Sequence, residues 1–190
     1  LAGAARIFAL LDIEPEIKEK ARPITLLPFR KAIEFREVNF AYQPGELVLR
    51  KVNLQIRQGE IIAVVGPSGG GKSSLASLLP RFHDVSAGAV LIDGHDLRDL
   101  SLHSLRRQIA IVTQQTILFN DTVRSNIAYG SPECTEEDVR QAAEAAFALD
   151  FIEDFPDGFD TMIGESGVRL SGGQQQRISI ARAILKNAPI

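Results

Sequence analysis

The sequence predicts an α/β protein whose core has central parallel strands and whose first part is an antiparallel β flap. Three observations carry this expectation. Ile61–Val65 (IIAVV) is apolar on both faces, as a central parallel strand is. The stretches before it, around Ile33–Phe40 and Val52–Ile56, alternate apolar and polar residues, as half-buried strands do. Beyond Thr135, apolar residues recur at helical spacing.

The elements follow in order. Leu1–Leu11 (LAGAARIFALL) is rich in Ala and Leu and reads as helix. Asp12–Arg30 holds Pro15, Pro23 and Pro28 among mixed charges and reads as an extended surface linker. Ile33, Phe35, Val38 and Phe40 mark a strand, Gln43-Pro44-Gly45 a turn, and Val52, Leu54 and Ile56 a strand with one wet face. Gln58-Gly59 turns into Ile61–Val65, and Ser74–Leu79 opens a helix. Ala89–Ile92 is a strand closed by Asp93-Gly94, followed by a basic helix at Leu100–Gln108 and a second buried strand at Ile109–Val112. Thr135 and Asp138 have capping-box spacing, with Asp in the usual Glu place. The helix they open carries Val139, Ala142, Ala143, Ala146 and Leu149 on one face. Gly172-Gly173 then precedes a helical stretch, Gln174–Asn187.

Composition narrows the function classes. The chain has 190 residues, 21 Lys+Arg and 24 Asp+Glu, for a net charge of −3, which gives no support to nucleic acid as a partner. With 45% hydrophobic and 24% charged residues it reads as globular rather than disordered. The single cysteine, Cys134, excludes an internal disulfide framework and a Cys-based zinc site, and reads as a filler in a polar stretch. No apolar run is long enough to span a bilayer, and no signal peptide is expected. A start at Leu1 and an end at Pro189-Ile190, in the approach to a strand, read as a piece of a longer protein.

Gly66-Pro67-Ser68-Gly69-Gly70-Gly71-Lys72-Ser73 fits G-x-x-x-x-G-K-[ST], with a buried strand expected before it and a helix from Ser74 after it. Glycines let such a backbone curl so that successive N–H groups face phosphate oxygens. Lys72 then reaches the β- and γ-phosphates, and the Ser73 hydroxyl suits Mg²⁺, a hard cation. Nucleotide binding is therefore expected here. Leu170-Ser171-Gly172-Gly173-Gln174 is a second glycine turn entering a helix. By itself it reads either as a helix N-cap at Ser171 or as a second anion site.

Together, GPSGGGKS and LSGGQ resemble the nucleotide-binding domain of ATP-binding cassette (ABC) transporters, from about Ile33 to the end of the chain. The resemblance implies a RecA-like P-loop NTPase core with an antiparallel flap and an inserted helical subdomain. It implies a linker over residues 1–30 that continues from a last transmembrane helix, and a cassette over 31–190. Within the cassette, core and flap take 31–113, the helical subdomain 114–170 and the signature helix 171–190. ATP and Mg²⁺ would be held by Gly66, Pro67, Ser68, Gly69, Gly70, Gly71, Lys72, Ser73 and Ser74. Tyr42 matches the aromatic that stacks on adenine, edge-strand packing being its other reading. Gln114 matches the glutamine that serves Mg²⁺ or the attacking water, with Gln115 directly after it. Ser171, Gly172, Gly173 and Gln174 would act in trans on ATP held by a second nucleotide-binding domain, in a head-to-tail dimer. Phe119–Val123 and Gly164–Gly167 match segments that face the transmembrane domain of the same polypeptide.

Asp93-Gly94-His95-Asp96, Leu105-Arg106-Arg107 and Asn126–Tyr129 resemble the bacterial lipid A/phospholipid exporters. The implied function is ATP hydrolysis that powers transport of a lipid or other hydrophobic substrate, at the cytoplasmic face of the bacterial inner membrane. Two departures stand out. Gln175-Gln176-Arg177 follows the signature where Arg-Gln-Arg is usual, and the sequence gives no reason for Gln175. The catalytic Glu and switch His of the family lie outside the chain, because His83, His95 and His103 all precede the signature and read as surface or strand-end residues. The chain alone is thus expected to bind ATP and Mg²⁺ with little hydrolysis, and to leave a sheet edge uncovered. Other readings are a P-loop small-molecule kinase with Arg106-Arg107 as a lid, a non-transport ABC ATPase, and a binding-only cassette.

Overall fold

The apolar positions Ile33, Phe35, Val38 and Phe40 are not evenly spaced: the step from Phe35 to Val38 is odd, and a strict two-residue repeat would turn the second pair outward. The computed structural model, which describes residues 2–164, 167 and 169–190, shows how all four stay buried. Strand β1 (Ala32–Phe40) carries a bulge between Phe35 and Val38, with Glu37 at φ 47°. It is flanked by β2 (Leu49–Arg57) and β3 (Ala87–Ile92), and β3 pairs with the short β4 (His95–Asp96). All pairings are antiparallel, in the order β2-β1-β3-β4, with Ile33 opposite both Ile56 and Ile92. Asp93-Gly94 makes a two-residue hairpin between β3 and β4, both residues at positive φ. The Asp93 carboxylate also accepts from the backbone N–H groups of Arg30, Lys31 and Ala32, which fixes the entry into β1.

The chain divides into two compact units, Leu1–Arg106 and Arg107–Ile190. The first holds this sheet, helix α1 (Ala2–Leu11), helix α2 (Lys72–Leu78) and helix α3 (Leu102–Arg107), whose last residue opens the second unit. Ile7, Phe8 and Leu11 on α1 are exposed. The linker is a surface segment only as far as Pro23. From there Ile24 bridges Leu100, the Leu26 N–H donates to Ser104 Oγ, and Leu26 and Phe29 are buried.

Two expected strands are absent. Ile61–Val65 has no regular secondary structure and no ladder partners, with Ile61 98% and Val65 87% exposed. A central parallel strand is stable only between two paired neighbours, and none of the described strands of this unit lies beside it. Ile109–Val112 has a single rung. The Ala110 N–H donates to Ile190 O at 2.8 Å and the Ile190 N–H to Gln108 O at 3.1 Å, the two bonds of a parallel bridge, while Ile111 and Val112 remain exposed.

The second unit is helical: α4 (Val123–Ala128), α5 (Glu136–Ala145), α6 (Leu149–Glu153) and α7 (Gly172–Lys186). Val123, Ile127, Val139, Ile152, Ile163 and Ile178 form its core, and Ala142, Ala143 and Ala181 allow close helix approach. The capping box opens α5 as expected: Thr135 Oγ1 accepts from the Asp138 N–H, and the Asp138 carboxylate from the Thr135 N–H. The Thr135 hydroxyl also donates to the Asp138 carboxylate, and this bond first, with the Thr135 N–H second, holds the Asp138 carboxyl below its usual pKa. Leu149 does not continue that helix. Phe147 takes φ 54°, ends the run and lets α6 begin.

Candidate nucleotide site

The phosphate loop lies in the first unit, directly ahead of α2. Gly69 and Gly71 have φ 78° and 81°, and Gly71 is the residue before the helix. A Cβ on Gly71 would lie 2.8 Å from Leu49 Cδ2 and 3.2 Å from Val48 O. With its positive φ and these close approaches, glycine is the residue that seats the loop against the start of β2 without shifting Leu49 or Val48. Lys72 Nζ crosses the loop and donates to Gly66 O at 2.9 Å and Pro67 O at 2.7 Å. The Gly70 N–H closes a turn onto Pro67 O. Ser68, Gly69, Gly70 and Ser73 are exposed. The result is an open, glycine-lined turn with an ammonium across it and a free-facing Ser73 hydroxyl, which suits a phosphate chain with a hard cation.

Tyr42 is in the same unit. Its hydroxyl is 2.9 Å from Ser74 Oγ, on the first turn of α2, and its ring is edge-on to Phe40 at 4.8 Å and to His83 at 5.2 Å. The ring is still 57% exposed. Ser74 is itself buried, so its hydroxyl serves Tyr42. Both readings of Tyr42 are compatible with this: one edge packs on the strand, and the rest of the ring is open to a stacked base.

The signature turn and Gln114 lie in the second unit. Ser171 caps α7: its Oγ accepts from the Gln174 N–H at 3.3 Å, and Gln174 Oε1 accepts from the Ser171 N–H at 2.8 Å. Gly172 and Gly173 are exposed, and a Cβ on either would meet nothing within 4 Å. The fold of this chain thus gives no steric reason for glycine at these two positions. Gln114 and Gln115 are both exposed in the bend after the Ile109 segment, and Gln115 O accepts from Thr113 Oγ1.

The two segments matched to a membrane-domain contact are neighbours within this unit. Thr122 bridges Met162, the Val123 N–H donates to Thr161 O at 3.0 Å, and the Ile163 N–H to Asp121 O at 3.1 Å. Glu165 and Ser166, within Gly164–Gly167, lie outside the described residues. Asn126, fully buried, holds the segment in shape. Its Oδ1 accepts from the Phe119 N–H, and its Nδ2 donates to Phe119 O and Thr122 O. Arg182 on α7 reaches Asn126 O at 2.8 Å and Ile117 O at 3.0 Å, with its guanidinium over the rings of Phe119 and Tyr129. Burial lowers its pKa from the ordinary value, against an opposing pull from Tyr129. Phe119 and Tyr129 pair at 4.4 Å and leave an exposed aromatic face. Neither Asn126 nor Arg182 was singled out from the sequence in these roles. The available signal was a polar Asn three residues after Val123 and beside Ile127, on the apolar face of the helix.

Comparison with known proteins bears on the family. The family model described as "ABC transporter" matches residues 49–190. The chain is 59% identical over its whole length to the ATP-dependent lipid A-core flippase of Desulfotalea psychrophila, of which it covers 33%. It is 60% identical to the protein of that name from Syntrophus aciditrophicus, of which it covers 31%. It is 49% identical to the putative multidrug export ATP-binding/permease protein YgaD of Bacillus subtilis, covering 33%. A solved bacterial Atm1-family ABC exporter with ATP bound matches with a TM-score of 0.93 and 40% identity, over 98% of this chain and 33% of that one. The chain therefore spans about a third of the length of these relatives. It follows, from the glycine loop and the capped signature turn as much as from these matches, that the chain belongs to the ABC transporter family.

Proposed function

We propose that this chain is the nucleotide-binding domain of an exporter that binds and hydrolyses ATP to move a lipid or other hydrophobic substrate across a bacterial membrane. The observation that carries this reading is the pair of glycines, Gly172 and Gly173, that the chain's own packing does not require. An exposed helix start kept bare of side chains suits close approach by a ligand from outside the chain. ATP seated on a second copy's phosphate loop, in a head-to-tail dimer, meets that description. Within one chain, Gly66–Ser74 would cradle the phosphates, Lys72 would neutralise their charge and Tyr42 would carry the base. Ser73 and Gln114 would serve Mg²⁺. A phosphoryl transfer needs little more from the protein than such positioning and charge stabilisation.

The relatives' names support the lipid or hydrophobic substrate, and their greater length supports a membrane domain in the same polypeptide. Such a domain would place the cassette at the cytoplasmic face of the inner membrane. The joined segments around Phe119–Val123 and Met162–Gly164, with the Phe119–Tyr129 aromatic face, suit a surface that receives it.

Mg-ATP binding to the chain tests the reading. Lys72→Ala removes the ammonium that spans the loop, and affinity should fall about 30- to 100-fold, the worth of a charge-assisted contact. Equal affinity in wild type and Lys72→Ala would remove the phosphate loop from the site.

A further inference from the structure

Gln175, which follows the signature where arginine is usual, has a use in the fold. Its Nε2 donates to Gly167 O at 2.9 Å, with a longer contact to Leu170 O at 3.4 Å. Its Oε1 faces Thr116 Oγ1 at 3.4 Å. One amide in the first turns of α7 therefore touches the loop that leads into the signature and the segment two residues beyond Gln114. Gly167 shows how tightly these parts meet. It has φ 68°, and a Cβ there would lie 2.8 Å from Leu118 Cδ1 and 3.4 Å from Gln175 Nε2. Leu118 belongs to the segment that carries Thr116, so that segment and the Gln175 side chain both approach the same position on Gly167.

We propose that Gln175 is a positioning residue: it makes the segment after Gln114, the loop around Gly167 and the turn Ser171–Gln174 shift as one body. This deepens the function proposed above and rests on it. The physical basis is the donor. Gly167 O, which also accepts from the Leu170 N–H, and Leu170 O are backbone acceptors outside any helix or strand ladder with α7, and the amide of Gln175 ties them to that helix. Without that donor the loop keeps its own bonds, such as the Leu170 N–H to Gly167 O, but loses its tie to the side of α7, and the signature turn meets ATP less often in the productive pose. ATP still seats on the phosphate loop, because Gln175→Met changes no residue of Gly66–Ser73. An arginine at this position would also supply a donor.

The test uses the full-length protein in lipid vesicles, with ATP turnover, ATP affinity and amide hydrogen exchange as readouts. Gln175→Met keeps the length and removes both polar atoms. Turnover should fall about 10-fold with ATP affinity held within about two-fold, and exchange at residues 167–170 should quicken while α5 keeps its protection. Gln175→Arg should restore turnover to within about three-fold of wild type, since it restores the donor. Thr116→Val, which removes only the long contact, should cost less than Gln175→Met. Wild-type turnover in Gln175→Met overturns the inference, as does failure of Gln175→Arg to rescue it, because the effect would then be one of packing alone. Lys72→Ala in the same vesicles separates the two levels. If Lys72→Ala still turns over ATP, the proposed function fails and this inference with it. If Lys72→Ala is dead while Gln175→Met is normal, only the inference fails.

Discussion

Gly173→Ala should lower ATP turnover of the full-length protein about 100-fold while leaving the fold intact or slightly firmer. The opposite signs are the point. Gly173 lies in the first turn of α7, exposed, with nothing within 4 Å of a Cβ. Alanine is the better helix residue there, by a few tenths to about 1 kcal/mol, through reduced chain entropy in the unfolded state. In a chain of this size that raises Tm by about 2 °C. The added methyl group would nevertheless stand where the proposed reading brings a phosphate oxygen from the partner's ATP. A displacement of about 1 Å at a reacting group is enough for a hundred-fold loss. Thermal unfolding and steady-state turnover on the same preparation measure both signs. A variant with normal turnover would mean that nothing approaches Gly173 closely. A variant that lost turnover and stability in parallel would mean that the glycine serves the fold.

The second large effect is on stability alone. Gly88 sits on β3 opposite the bulge in β1, at φ 82°, and a Cβ there would lie 2.3 Å from Glu37 O and 2.4 Å from Arg36 O. Backbone atoms of a paired strand cannot swing aside as a side chain can. Gly88→Ala combines the left-handed backbone penalty with overpacking, on the order of 4 kcal/mol together. Tm should drop by about 10 °C. Gly94→Ala is the control: its φ is 86° but it has open space around the would-be Cβ, so only the backbone penalty of about 1–2 kcal/mol applies. Equal losses in the two variants would show that the close approach at Gly88 relaxes without cost.

The bulge also shows what the sequence could and could not disclose. The buried set Ile33, Phe35, Val38 and Phe40 was visible as apolar positions, and its odd step was the trace of the bulge. Gly88, which makes the bulge possible, lies too far along the chain for any local pattern to connect them. The capping box at Thr135 and the N-cap at Ser171 are local devices that local spacing finds, while the return bond from Gln174 to Ser171 comes from the structure. The glycine loop is legible for the same reason, since eight adjacent residues carry its whole pattern. Ile61–Val65 reads as a strand but is unpaired here, because an apolar run reports a preference for burial and not the presence of neighbours. The bond from Tyr42 to Ser74 and the node at Gln175 join residues distant in sequence, and polar side chains of ordinary type announce neither.

Arg182 has a consequence for the conditions under which the Phe119–Tyr129 surface keeps its shape. Its described partners are carbonyl oxygens, the Asn126 amide and two aromatic faces rather than a carboxylate. Guanidinium stays protonated across the biological range, and amide and carbonyl dipoles do not titrate. Counter-ions compete weakly for a half-buried cation held by neutral groups. The joint between α7 and the aromatic face is accordingly indifferent to acidity and to ionic strength.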